Sequence, residues 1–230
     1  MSDPVIRRHT VHAFDEELDR LTRHILEMGG LVERQLQMAV RALVERDETA
    51  ADGVIAGDDA VDELEETIDH EAIRILATRQ PLAIDLRMVA MALKISNDLE
   101  RMSDYAVNIA RRAKGLLDQP RFKPMITIPR MAQVCQEMLK QVLDAYAARD
   151  PAQAYAAWQR DEEVDQLYVS LFRELLTYII EDPRKTSACI DLMFVAKNLE
   201  RIGDHTTNIA EKIHYIVHGD RINRMIRPES

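Results

Sequence analysis

The sequence predicts an all-α protein of two tandem pseudo-symmetric three-helix bundles, six long antiparallel helices in all. Three observations carry this expectation. An ordered series of residues recurs along the chain at a near-constant offset. The apolar residues of each recurring segment are spaced by three and four, the helical rhythm. The composition is that of long helices: only 7 glycines in 230 residues, 5% aromatics, and 47% hydrophobic against 30% charged residues.

The recurrence is the strongest of the three, because a fixed-period repeat defines an architecture. Arg46-Asp47 returns as Arg149-Asp150, an offset of 103. Asp58, Val61, Asp62 and Leu64 return at the same offset as Asp161, Val164, Asp165 and Leu167. Leu99-Glu100-Arg101 returns as Leu199-Glu200-Arg201, Asp104 as Asp204, and Asn108-Ile109-Ala110 as Asn208-Ile209-Ala210, now at an offset of 100. A three-residue length change therefore falls between the second and third segments of a copy.

Prolines punctuate the copies. Pro81 and Pro183 precede the segments that carry Leu-Glu-Arg, and Asp150-Pro151 reads as an N-cap followed by proline at the first helical position. Pro120, Pro124 and Pro129 mark a linker between the copies. The expected organisation is a first repeat over 1–117, a proline-rich linker over 118–129 and a second repeat over 130–230. Within them the segments run 14–46, 48–79 and 81–117, then 130–149, 151–181 and 184–218.

Each segment reads as helix. Ile95, Leu99, Met102, Ala106, Ile109, Ala113 and Leu116 form one stripe, and Val195, Leu199, Ile202, Thr206, Ile209, Ile213 and Ile216 form its counterpart. About thirty residues make a rod of roughly 45 Å, and short connections make neighbouring rods antiparallel. Gly29-Gly30 inside the first segment predicts a kink or a close helix contact.

The formal net charge of −10 disfavours nucleic acid as a direct partner and serves solubility. The two cysteines, Cys135 and Cys189, form no C-x-x-C motif and read as small core residues. Met1 to Phe14 lacks the apolar run of a signal peptide, and no segment reaches the ~18 apolar residues of a membrane span. A cytoplasmic protein is expected.

The chemistry lies in the carboxylates. Glu100, Asp104 and Asn108 are spaced by four, as are Glu200, Asp204 and Asn208. Asp58 pairs with Asp62 and Asp161 with Asp165 at the same spacing. Residues four apart share a helical face, and like charges there repel by a few tenths of a kcal/mol. The Glu100–Asn108 row stands away from the apolar stripe of its own helix, so it faces solvent or a groove. One such row is a solvated acidic face. Four rows at matched places, on helices that pack side by side, also make a site for hard, oxygen-loving cations. Both readings stand at this stage.

An enzyme is not expected. A buried di-iron carboxylate centre needs two Glu-x-x-His motifs, and the chain has one, Glu211-x-x-His214. His205 follows Asp204 directly and cannot share its face. There is no H-E-x-x-H, G-x-S-x-G, Walker loop or GxGxxG.

The string Leu199-Glu200-Arg201-Ile202-Gly203-Asp204-His205 followed by Asn208-Ile209-Ala210 resembles the signature of the PhoU family. So do Arg79-Gln80-Pro81 with Asp85-Leu86-Arg87, and Met28-Gly29-Gly30. The resemblance runs from about Phe14 to Gly219. It implies two three-helix bundles with Glu/Asp-x-x-x-Asp motifs that hold divalent or iron cations at surface carboxylate clusters: Asp58, Asp62, Glu100 and Asp104 in the first copy, Asp161, Asp165, Glu200 and Asp204 in the second. Asn108 and Asn208 are weaker candidates. The first copy departs from the Gly-Asp-His form with Ser103-Asp104-Tyr105, so the two sites are expected to differ. The resemblance further implies a non-enzymatic negative regulator of the phosphate-starvation response, which bridges the ATPase of a phosphate ABC transporter and a sensor histidine kinase. A metal-binding scaffold with no phosphate role is the alternative. A homodimer is implied as well, and the first segment offers Leu31, Leu36, Met38, Val40, Leu43 and Val44 on more than one side.

Overall fold

In the computed structural model, described over residues 4–119, 127–220 and 222, the chain is helical throughout its segments, with no strand among the described residues. The helices are α1 (Pro4–Arg41), α2 (Glu48–Ala56), α3 (Asp59–Arg79), α4 (Ala83–Gly115), α5 (Thr127–Ala148), α6 (Pro151–Gln159), α7 (Asp161–Glu181) and α8 (Thr186–His218). A π-helical turn, Ala42–Arg46, prolongs α1, and a 3₁₀ turn, Pro183–Lys185, leads into α8.

The repeated Arg-Asp dipeptide is a helix-to-helix corner. Arg46 and Arg149 both adopt left-handed backbone, with φ of 61° and 53°. Each aspartate that follows is an N-cap: Asp47 accepts from the Ala50 N–H at 3.0 Å, and Asp150 from the Ala152 N–H at 2.9 Å. The matched strings encode the same strained turn and the same cap.

The second segment of each copy differs from expectation. Residues 48–79 and 151–181 are not single rods, because each breaks where the matched aspartate stands. Gly57 ends α2 and Arg160 ends α6, and the bends turn Asp58 and Asp161 toward the neighbouring helix. Two boundaries also move: α1 starts at Pro4 rather than near 14, and α5 starts at Thr127, so Pro129 sits in its first turn, where proline is tolerated. Most of the proline-rich linker, 120–126, lies outside the described residues.

α4 and α8 lie antiparallel at the centre. Arg87 Nε donates to the Ile216 carbonyl at 2.8 Å, His205 Nδ1 meets Asp98 Oδ1 at 2.9 Å, and Arg112 Nη1 donates to Asp191 Oδ1 at 2.7 Å. Tyr105 and His205 occupy equivalent positions of the two copies, and their rings meet at 5.6 Å. That contact lies on the pseudo-twofold axis. α1, α2 and α3 cover α4, α5, α6 and α7 cover α8, and α1 also touches α5. One core runs through both halves, from Ile25 and Met28 of α1 through Leu99 and Met102 to Met131, Leu199 and Ile202.

The glycine pair makes the close contact its position suggested: a Cβ on Gly29 would stand 2.6 Å from the Leu143 side chain on α5. The α1 surface offered for self-association is largely consumed by this core. Leu36 and Leu43 are buried, and only Met38 and Val44 are exposed.

Candidate functional site

The carboxylates of each copy gather where α3 meets α4 and where α7 meets α8. In the first copy Asp62 is exposed while Asp58, Glu100 and Asp104 are half-buried. Their charges act on one another. Although the residue as a whole is exposed, partial desolvation of its carboxyl beside α4, then the charges of Asp58, Asp104 and Asp59, holds Asp62 above the ordinary range. Glu100 is raised as well, by burial first and then by Asp104, with Arg101 opposing and Glu65 and Asp62 adding. Glu100 Oε2 is buried without a hydrogen bond, and its nearest cation is Arg101 Nε at 3.4 Å.

In the second copy Asp204 is raised by burial, then by Glu200 and Asp165, with Lys197 and His205 opposing. Here a cation is built in: Lys197 Nζ donates to Glu200 Oε1 at 2.6 Å. The equivalent first-copy residue is Asn97, which donates instead to Glu65 Oε1 at 3.5 Å. The two acid clusters thus hold different cations: Arg101 lies 3.4 Å from Glu100 and 3.2 Å from Asp104 in the first, and Lys197 lies 2.6 Å from Glu200 in the second.

Asp58 and Asp161 behave differently from the other six acids. Asp58 Oδ1 accepts from the Ser103 hydroxyl at 2.7 Å, and that hydroxyl also lies 2.6 Å from the Gln35 side-chain oxygen. One hydroxyl proton cannot serve two acceptors, and Gln35 Nε2 has no partner. Reversing the amide resolves both: Gln35 Nε2 donates to Ser103, and Ser103 donates to Asp58. In the second copy Gly203 replaces Ser103. A Cβ there would stand 2.9 Å from Asp161 Oδ1, so glycine makes room for the carboxylate. Asp161 is only 4% exposed, so it does not lie on the solvated acidic face that was one of the two readings of its row. Burial first, and then the Asp161 charge, pushes the Cys135 thiol up.

A hard cation fits this donor set in part. The oxygen ligands are gathered, Arg101 and Lys197 relieve their mutual repulsion only in part, and Glu100 presents a buried oxygen without a hydrogen-bond partner. Yet among the described residues no three Asp, Glu, His or Cys side chains converge as a finished ligand set. Six acids flank the seams for such an ion: Asp62, Glu100 and Asp104 in the first copy, and Asp165, Glu200 and Asp204 in the second. Asn108 and Asn208 are exposed one turn further on.

Sequence reasoning missed three features. Glu65 joins the first cluster, and its position three residues after Asp62 was a legible sign. Ser103 and Gln35 orient Asp58 without any local pattern. Asp98, buried on α4, takes both His205 and Lys212 of α8. The Glu211-x-x-His214 motif is no metal pair: His214 Nε2 lies 3.4 Å from Asp220, and its ring meets His218. Glu211 lines an open cleft of about 540 Å³ between α4 and α8, beside Lys94, Lys212 and Tyr215.

The PhoU domain model matches the chain twice, over residues 25–113 and 128–213. The chain belongs to the PhoU family. One match falls in each half of the chain. The phosphate-specific transport system accessory protein PhoU homolog of Caulobacter vibrioides is 48% identical over 215 residues, spanning 93% of this chain and 94% of that one. The crystal structure of PhoU from Pseudomonas aeruginosa superposes with a TM-score of 0.87 at 41% identity, over 90% of this chain and all of that one. The phosphate transport system regulatory protein PhoU from Streptococcus pneumoniae gives a TM-score of 0.85 at 28% identity, over 91% and 99% of the two chains. This PhoU-family chain is therefore an accessory protein of phosphate transport with the all-helical family fold, and among the described residues no helix is long and apolar enough to cross a membrane.

Proposed function

We propose that this protein is a non-catalytic cytoplasmic adaptor that restrains the phosphate-starvation response when phosphate is plentiful. It does so as a homodimer that bridges the ATPase of a phosphate ABC transporter and a membrane-bound sensor histidine kinase. The supporting observation is the end-to-end likeness to accessory proteins of the phosphate-specific transport system, through both repeats. The fold suits the role. Long helical faces around one continuous core give a body with much surface for partners.

Each half also presents a cation site in this reading, at Asp58, Asp62, Glu100 and Asp104, and at Asp161, Asp165, Glu200 and Asp204. A bound divalent or iron cation would supply positive charge where the acids now repel. Asp58, oriented by Ser103, would support the first site from within. The second reading, a metal-binding scaffold with no phosphate role, draws on the same acids.

Deleting the gene and measuring alkaline phosphatase in phosphate-rich medium separates the two. The adaptor reading expects phosphatase activity in rich medium, restored to repression by the wild-type gene. Phosphatase that stays repressed in the deletion strain refutes the adaptor reading and leaves the scaffold.

A further inference from the structure

The chain turns back on itself where α8 ends. Gly219 adopts left-handed backbone, with φ of 79°, as a helix-terminating glycine does. Arg87 of α4 holds the turn: its Nε donates to the Ile216 carbonyl at 2.8 Å and its Nη2 to the Val217 carbonyl at 3.4 Å. Three residues after Gly219, Ile222 is only 9% exposed. It lies in the cleft between α4 and α8, beside Met91 of one and Tyr215 of the other. One residue from beyond α8 is thus already seated there.

The cleft has room for more than that residue. It is open over about 540 Å³, and it shares Lys94 and Lys212 with a second open space of about 530 Å³ that reaches Glu65, Asp69 and Ile73 of α3. Lys212 is held by Asp98. Glu211, Glu65 and Asp69 meet no lysine or arginine among the described residues. Four carboxylates and two ammonium groups line the joined space, so it is two charges negative. Apolar surface is interleaved with them, at Met91, Leu93, Tyr215 and the 59% exposed Ile73.

The duplication shows how such a seam is closed. The positions equivalent to Met91, Lys94, Glu211 and Lys212 are Asp191, Phe194, Arg111 and Arg112. There Arg112 crosses the seam: it donates to Asp191 at 2.7 Å, and its guanidinium stands 4.3 Å over the Phe194 ring. On this side Lys212 turns to the buried Asp98 instead, and the space beside Glu211 and Tyr215 stays open. An acid and a ring are in place without a guanidinium between them.

Residues 223–230 lie outside the described residues, and their sequence complements the space. Met225 and Ile226 follow Ile222 at spacings of three and four, and Arg224 and Arg227 are three apart. The segment therefore carries apolar and basic groups on separate sides, with two positive charges for the two negative ones. Length allows the fit: Asn223 to Arg227 reach at most ~17 Å, and the stretch of α4 from Met91 to Asp98 is ~10 Å long. Tethering at Ile222 gives this segment a high local concentration that a separate molecule lacks.

We propose that the segment Asn223–Arg227 fills this cleft in cis. Met225 and Ile226 cover its apolar lining, Arg224 meets Glu211, and Arg227 meets the Glu65–Asp69 pair. The α4–α8 face is then available to a partner only when the segment leaves. The inference stands apart from the adaptor role, because it concerns this chain alone.

Limited trypsin digestion of the full-length protein, followed by mass spectrometry, tests it. Cleavage after Arg224 requires the segment to leave the cleft. In the wild type it is expected to be about tenfold slower than in a synthetic peptide of residues 219–230. Glu211→Gln with Asp69→Asn leaves the segment's own sequence untouched and is expected to bring cleavage to the peptide's rate, with helical circular dichroism unchanged. Met225→Ser with Ile226→Ser is expected to be cut as fast as a peptide carrying the same changes. Wild-type cleavage at the peptide's rate overturns the proposal. Protection that survives in either variant overturns it as well, since the segment is then held by something other than this cleft.

Discussion

Glu17 joins α1 to α3, and neutralising it has a calculable effect. Its carboxylate accepts from Arg79 Nε at 2.8 Å, Arg79 Nη2 at 3.0 Å and Arg74 Nη1 at 3.0 Å, while the residue is only 7% exposed. The Arg79 hydrogen bonds, followed by those and the charge of Arg74 against the cost of burial, hold its pKa at about 2 instead of 4.5. At 1.36 kcal/mol per pKa unit, that difference is worth about 3 kcal/mol. Arg74 is half exposed to solvent screening, which reduces the figure to about 2 kcal/mol. Glu17→Gln should then lower Tm at pH 7 by roughly 4–8 °C, at about 2–4 °C per kcal/mol for a chain of this size. The sign follows from linkage. A carboxylate with a depressed folded-state pKa stabilises above the unfolded value of 4.5 and loses that contribution as pH falls through about 2. Melting curves of wild type and variant should therefore differ at neutral pH and converge across that window. Other acids titrate there too, but they do so in both proteins and cancel in the difference. Equal Tm at pH 7, or a gap that stays constant down to pH 2, refutes the reasoning.

Ser103→Ala removes the hydroxyl between Gln35 and Asp58, and leaving buried polar groups without it should cost about 1–3 kcal/mol in chemical denaturation; an unchanged midpoint would show that water replaces it without loss. Divalent ions should raise Tm by mass action, and more through the first cluster than the second, because Lys197 holds Glu200 at 2.6 Å while Arg101 stands 3.4 Å from Glu100 and 3.2 Å from Asp104, and Glu65 adds a further acid there. Glu100→Gln with Asp104→Asn should accordingly remove more of the metal-induced rise than Glu200→Gln with Asp204→Asn. Because Asp62, Glu100 and Asp204 are raised, protons compete for these oxygens, and the rise should shrink as pH falls toward the carboxylate range. An equal shift in wild type and both variants, or no shift in any, rules out the acid clusters as the sites.

What the sequence determined by itself is the local and the periodic. Apolar spacing of three and four specified the rods, because one turn of helix brings those residues to one face whatever lies beyond it. The duplication specified that each corner and each acid pair occurs twice. Arg46-Asp47 and Arg149-Asp150 were legible as matched strings because turn and cap are made by neighbours in sequence. The tertiary structure decided the rest. Asp98 with His205 and Lys212 joins residues more than a hundred positions apart, and no local pattern marks such a pair. The burial of Asp161 depended on Gly203 of another helix making room for it. Two apolar surfaces, on α1 and on α7, look alike as sequence, yet α5 covers part of the first and nothing described covers the second. Periodicity states that a helix has an apolar face; only the arrangement of its neighbours states whether that face is already in use.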